Sequence, residues 1–187
     1  MNASIASIPT FPLRPFNGGP LDRARPKRGE WIYEPKINGW RALVNTKTGD
    51  VFNRHGEVMS ITHEFKESIA ALSSSPWEWL DCEGLARRHN VERGKLYVLD
   101  YIPESYDKTP WSERNDALRE TYPSLVLDHY RAEESLKAWW ELQQVNETLG
   151  CEFYEGFVAK RTDSPYPLQL RSSSEVTTLW IKHRWEF

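Results

Sequence analysis

The sequence predicts an α+β fold, with antiparallel sheets and helices packed outside them. Three observations carry that expectation. Short strand-like runs follow one another between residues 31 and 54, separated by the turn dipeptides Asn38-Gly39 and Thr48-Gly49. Two later segments, near residues 113–121 and 132–149, space their apolar residues as helices do. Strand-like runs then return toward the C-terminus. The 187 residues are 39% hydrophobic and 27% charged, a globular composition in a chain long enough to close one core.

Residues 1–28 hold Pro9, Pro12, Pro15, Pro20 and Pro26 with the pair Gly18-Gly19. They read as an extended basic arm with turns and no regular structure, leaving residues 29–187 as the domain. Strands are expected at Trp31–Lys36, Trp40–Asn45 and Asp50–Arg54, then a helix over His63–Leu72 with Phe65, Ile69 and Leu72 on one face. Trp79–Ala86 and Leu96–Ile102 read as further strands. Ser112 is placed to N-cap a helix from Glu113 to about Thr121. Ala132–Leu149 forms a longer helix with Ala138, Leu142, Val145 and Leu149 at helical spacing and Gly150 placed to stop it. Adjacent Trp139 and Trp140 widen its apolar face, and both are expected in the core. Strands near Phe153–Ala159 and Leu179–His183 complete the pattern.

The formal net charge of −3 excludes a protein that coats nucleic acid by charge alone. The total hides a gradient. Residues 1–28 carry five cations against Asp22, residues 103–155 five against twelve carboxylates, and residues 156–187 five against three. Basic ends around an acidic middle leave one side suited to phosphate. No apolar run approaches the ~20 residues that span a bilayer, so no membrane partner is expected. Residues 1–16 lack the basic start and apolar stretch of a secretory signal. Cys82 and Cys151 are too few for a disulfide framework and lack metal-ligand spacing. A reduced, cytoplasmic protein is the default.

Four segments concentrate charge within apolar runs. Glu34-Pro35-Lys36-Ile37-Asn38-Gly39-Trp40-Arg41 sends a lysine into an Asn-Gly turn and follows it with arginine. Asp81 and Glu83 share one face of a strand by its period of two. Glu155 and Lys160 end an apolar run, and Trp180, Lys182 and Arg184 alternate on one face. Buried charges on neighbouring strands are costly unless they pair with one another or hold a charged ligand and metal. His55, His63, His89, His129 and His183 show no helical metal spacing and read as structural or surface residues.

In this order the segments resemble the motifs of the covalent nucleotidyltransferase superfamily of ligases and capping enzymes. The resemblance is to ATP-dependent DNA ligases, above all the ligase domains of bacterial end-joining enzymes, and covers about residues 30–184. Lys36 to Arg41 matches the nucleophile motif Lys-x-Asp-Gly-x-Arg with one change. Asn53-Arg54-His55-Gly56 looks like the Arg-Asn-Gly turn that follows, Asp81-Cys82-Glu83-Gly84 like the Asp-Gly-Glu motif, and Tyr97 to Tyr101 like the next strand. Glu155 to Arg161, continued by Asp163 to Tyr166, and Trp180 to Arg184 resemble the last two motifs.

The resemblance implies a DNA ligase-like nucleotidyltransferase fold, its sheets flanking a nucleotide cleft. It further implies that Lys36 attacks the α-phosphorus of ATP and becomes lysyl-AMP, which then passes to a 5′-phosphate in nicked duplex DNA. A lysine at its usual pKa of ~10.4 is neutral only about once in 2,500 molecules at neutral pH, and nearby cations favour the neutral form. By the same resemblance Glu34 helps hold adenine, Arg41 and Arg54 contact ribose and phosphate, and Glu83 accepts from the ribose. Leu99 stands in the adenine-stacking position, Lys160 lines the pocket, and Glu155 binds Mg2+ or Mn2+. Lys182 and Arg184 stabilise the α-phosphate.

Three departures accompany it. Asn38 stands where DNA ligases have Asp. Leu99 stands where many have an aromatic, with Tyr97 and Tyr101 expected on its face as substitutes. After Arg184 only Trp185, Glu186 and Phe187 follow, so no OB-fold domain is expected; a protein partner that supplies one, a slow stand-alone enzyme and another substrate are the three options this leaves. An RNA ligase, a capping guanylyltransferase and a non-catalytic module binding nucleotide or DNA ends are the alternatives.

Overall fold

Asn38-Gly39 makes a tight connection, but the strands it joins do not pair with each other. In the computed structural model, which describes residues 11–26, 28–103, 107–169 and 176–185, β1 (Phe11–Pro12) and β2 (Arg14–Asn17) precede β3 (Trp31–Ile37) and β4 (Trp40–Asn45). Next come β5 (Val51–Phe52), a 3-10 turn (Thr62–Phe65) continuing into α1 (Lys66–Leu72), β6 (Trp79–Gly84) and β7 (Leu96–Tyr101). The chain continues through α2 (Trp111–Thr121), β8 (Tyr130–Arg131), α3 (Ala132–Leu149), β9 (Tyr154–Arg161), β10 (Leu168–Gln169) and β11 (Val176–Arg184). β3 belongs to a five-stranded sheet of order β2-β11-β9-β3-β8, whereas β4 belongs to a four-stranded sheet of order β5-β4-β6-β7. A hairpin's two ends would lie in one sheet; here the turn passes the chain from one sheet to the other, and Lys36 and Arg41 sit on opposite walls of the space between.

Pairing within these sheets is antiparallel with one exception, β2 beside β11, which is parallel. That pair corrects the reading of the N-terminal arm. Arg14–Asn17 of that stretch, with Pro15 among them, lies along β11 as an edge strand, where a missing N–H costs least, and residues 1–10 lie outside the described residues. Leu21 beyond it is fully buried with Tyr33, Phe157 and Trp139.

Each sheet buries an outer face under helices. Ala42, Val44, Leu80, Cys82 and Val98 pack with Phe65, Leu72 and Leu118; on the other sheet, Tyr33, Phe157 and Ala159 pack with Ala138, Trp139 and Leu142 of α3. A third cluster, including Ile32, Leu43, Trp79, Trp111 and Trp180, joins the inner faces. No helix of the described residues is long and apolar enough to cross a membrane.

The observed elements correct three details. Pro110, extended at φ −62° and ψ 153°, precedes α2 with no side-chain cap, and Ser112 lies inside the helix. Proline's fixed φ makes that entry on its own. α3 spans the expected residues and ends at Gly150 with φ 65°. Its apolar face is narrower than expected: Trp140, Val145 and Leu149 are exposed. The strand expected over residues 50–54 contracts to Val51–Phe52, because Asn53 turns the chain by accepting the N–H groups of His55 and Glu57.

Candidate active site

All ten candidate residues line one cleft of about 400 Å³ between the two sheets. Glu34 and Lys36 come from β3, Arg41 from β4, Glu83 from β6, Leu99 from β7, Glu155 and Lys160 from β9, and Lys182 and Arg184 from β11. Arg54 comes from the turn after β5 and lies exposed, its Nε donating to His55 Nε2 at 2.9 Å.

Two bulges set this arrangement. Glu155 and Lys160 have opposite parity, so a regular strand would send them to opposite faces. Lys36 pairs with Gly156 and Ile37 with Tyr154, leaving Glu155 as the extra residue. The bulge re-aims it into the cleft. Gly156 takes φ 137° there, and a Cβ would collide with the His183 carbonyl. On β7, Val98 pairs with Cys82 and Asp100 with Asp81, so Leu99 is the extra residue. Leu99 lines the cleft, and its carbonyl accepts from Lys160 Nζ at 3.1 Å. The same bulge breaks strand alternation. Tyr97 packs beside Leu99, but Tyr101 turns to the outer core and stacks on Trp77 with centroids 4.7 Å apart. Tyr101 therefore does not substitute for a cleft aromatic, and neither tyrosine lines the cleft.

At the centre Lys36 Nζ lies 2.6 Å from Glu155 Oε2, which Arg184 approaches at 2.9 Å. Below them Lys160 is 3% exposed and pairs with Glu34 at 2.6 Å, its ammonium 4.6 Å from the Trp180 ring centroid. Burial raises the Glu34 carboxyl above its ordinary range, and Lys160 opposes that shift. Arg41 turns its fork onto Asp81, Nε at 2.9 Å and the second nitrogen at 2.5 Å, while Tyr166 donates to the same carboxylate at 2.8 Å. The fork expected to meet ribose and phosphate is thus committed to Asp81. Asp81 and Glu83 do share a face, as the period of two predicts, but divide the work: Asp81 holds Arg41, and Glu83 accepts the Gly39 N–H at 3.0 Å.

The local field is mixed. Burial pushes the Glu83 carboxyl up to about 7, with Glu155 and Asp81 adding to the effect and Lys36 and Arg41 opposing it. The Lys182 amine is lowered by burial and then by Arg184, Lys36, Arg14 and Arg54 around it. Among the described residues no group of three or more His, Cys, Asp or Glu forms a metal site by itself. Glu83 and Glu155 nevertheless fit a magnesium ion, which takes one or two carboxylates when substrate phosphates complete its shell.

Arg88 is a cleft residue that the motifs did not mark. Its guanidinium lies 4.7 Å from the Trp40 ring centroid, donates to Asn38 Oδ1 at 2.5 Å and stands 3.5 Å from Glu155 Oε1. It comes from the loop between β6 and β7, where only composition (Arg87-Arg88-His89) offered a signal. Arg14 also lines the cleft. His183 is buried with Nδ1 2.9 Å from the Gly19 carbonyl, a structural role in keeping with expectation.

No protein-family model matches the chain, and no curated protein resembles it in sequence. Solved structures do. The ligase domain of LigD from M. tuberculosis superimposes with TM-score 0.63 at 18% identity, covering 94% of this chain and 59% of that one. The Chlorella virus DNA ligase-adenylate gives 0.60 at 16% identity over 92% and 68% of the two chains, and an archaeal ATP-dependent RNA ligase 0.57 at 18% over 96% and 48%. The chain thus spans between about half and two-thirds of these structures. The two sheets and the cleft between them are common to this chain and these ligase structures. The fold is that of the ATP-dependent ligases, shared by DNA and RNA ligases alike.

Proposed function

We propose that this chain is an ATP-dependent adenylyltransferase of the ligase kind, forming lysyl-AMP at Lys36 and passing AMP to a 5′-phosphate at a DNA nick. The observation that carries the reading is Lys36 Nζ at 2.6 Å from Glu155 inside a cleft also lined by Lys182 and Arg184. As the Nζ–phosphorus bond forms, the bond from the α-phosphorus to the β-phosphate oxygen breaks and pyrophosphate leaves with the electron pair. Glu155 is placed to take the amine's proton. Lys182 and Arg184 offset the charge that grows on the α-phosphate oxygens. A magnesium ion held by Glu155 and Glu83 would supply further charge neutralisation on the phosphates.

The base fits between Leu99, Val158 and Trp180, with the Glu34–Lys160 pair as the polar handle on the cleft floor. Glu83, which accepts the Gly39 N–H through one oxygen, would accept a ribose hydroxyl through the other. Arg41, held by Asp81, contributes positive potential from the wall, and Arg54 on the rim would leave its bond to His55 to meet phosphate. Acceptance of RNA is the second reading, since an archaeal RNA ligase shares this fold. A partner carrying an OB fold is the proposed source of further nucleic-acid surface.

Intact mass after incubation with ATP and magnesium tests the first step. Wild type is expected to gain one AMP and Lys36→Ala none. No adduct with magnesium, manganese or GTP, even with an OB-fold protein added, would leave a binding module. With an adduct in hand, nicked DNA against nicked RNA decides the acceptor.

A further inference from the structure

Asn38, in the turn between β3 and β4, bonds through four groups to chain at least 50 residues away. Its backbone N–H donates to the Phe153 carbonyl at 2.8 Å, and its backbone carbonyl accepts from His89 Nε2 at 3.2 Å. In the side chain, Nδ2 donates to the Glu152 carbonyl at 3.1 Å and Oδ1 accepts from Arg88 at 2.5 Å. Only this orientation of the amide serves both partners, since a carbonyl only accepts and a guanidinium only donates. An aspartate here would keep an acceptor for Arg88 but turn a second, charged acceptor on the Glu152 carbonyl.

The segments joined in this way carry Lys36 and Glu155. Lys36 lies two residues before Asn38, and Glu155, the extra residue of the β9 bulge, three residues after Glu152. Asn146 of α3 holds the chain entering β9 through two bonds with the Tyr154 backbone, at 2.8 and 2.9 Å. With that entry fixed on the helix, the bonds of Asn38 set where the turn, and Lys36 with it, lies against Glu155. Oδ1 also holds Arg88, whose guanidinium is 3.5 Å from Glu155 Oε1 while Lys36 and Arg184 approach Oε2. An aspartate would bind Arg88 as an ion pair and draw it from Glu155.

Resting on the ligase reading above, we propose that Asn38 is a positioning residue for addition of AMP to Lys36. Its amide fastens the turn and Arg88 so that Lys36 Nζ and the Glu155 carboxylate stay 2.6 Å apart. Asn38 is not among the residues lining the cleft, so its loss should reach the rate of the step and spare the affinity for ATP.

Time courses of AMP addition by intact mass, over a series of ATP concentrations, compare wild type with Asn38→Asp and Asn38→Ala. Both variants are expected to lower the maximal rate about tenfold, the worth of one to two hydrogen bonds, and to keep half-saturating ATP within about twofold. For Asn38→Asp that loss runs against the resemblance, whose motif carries aspartate here. Hydrogen exchange without ATP reads the fastening directly. The amides of residues 37–39 should lose about tenfold in protection while those of β4 and β6 keep theirs, which separates a loosened turn from a lost fold. A wild type that gains no AMP overturns the ligase reading and this role with it. With AMP on the wild type, three results overturn the role alone: Asn38→Asp as fast as wild type, a rise in half-saturating ATP in place of the fall in rate, or unchanged protection of the turn.

Discussion

Glu83 is a cleft carboxylate held by a backbone N–H, that of Gly39, with Asp81 and Glu155 close enough to oppose its ionisation. Its pKa rises from an ordinary 4.5 to about 7. A group raised in this way binds its proton more tightly folded than unfolded. The stability it contributes is complete below pH 4.5 and is lost as pH climbs through about 7. Glu83→Gln keeps an oxygen for the Gly39 N–H and removes the charge. Urea unfolding should therefore find the two proteins alike near pH 4.5 and the variant more stable at pH 8, by on the order of 2 kcal/mol. A difference that does not change with pH would show that Glu83 ionises as readily folded as unfolded. The sequence makes such stress legible, since Glu34, Asp81, Glu83 and Lys160 all sit within apolar runs. It does not say which charges relieve one another. Lys160 meets Glu34 across two paired strands, and Arg41 turns from the cleft to Asp81, because pairing depends on register, which two bulges alter.

At the scale of elements, the sequence pattern located α3 and the strands β3 to β7, β9 and β11, and failed where a regular period was assumed to persist. Trp139 and Trp140 differ by one residue, about 100° around the helix. That step carries the second ring past the edge of the buried stripe: Trp139 is 1% exposed, Trp140 51%. Trp139 packs against Phe157 and Trp185 with ring centroids 6.1 and 4.7 Å away. Trp139→Ala should cost about 3–5 kcal/mol through the cavity it leaves, and Trp140→Ala under about 0.5 kcal/mol. Denaturant midpoints of the two variants check this, and equal losses would place both rings in the core. The same limit hid the site's geometry. Glu155 and Leu99 reach the cleft only because each is the extra residue of a bulge, and nothing in a period of two marks where a bulge falls. The short β1, β2, β8 and β10 escaped because their pairing is non-local: β2 exists as a strand only beside β11.

Across the whole molecule, the charge gradient in the sequence becomes a division of surfaces. The acidic middle carries α2 and α3, which cover the outer faces of the sheets; α2 is fastened to β7 by the buried Arg114–Asp100 pair, with both bonds at 2.9 Å. The basic ends meet at the cleft, where Arg14 from β2 joins Lys182 and Arg184 from β11, with Arg54 and Arg88 beside them. Their parallel pairing brings opposite ends of the chain to one place, so the two basic stretches act as one patch despite the net charge of −3. The lowered pKa of Lys182 is in part the repulsion among these cations, which the proposed anionic strand would relieve. If those five residues each neutralise a phosphate, affinity for nicked duplex should fall with a log–log salt slope near −4.5, or roughly 500-fold between 50 and 200 mM salt. Replacing Lys182 by Gln should lower that slope by about one while weakening binding to all sequences alike. A titration that is flat over this range would detach the proposed nucleic-acid partner from the basic patch, whatever Lys36 does with ATP.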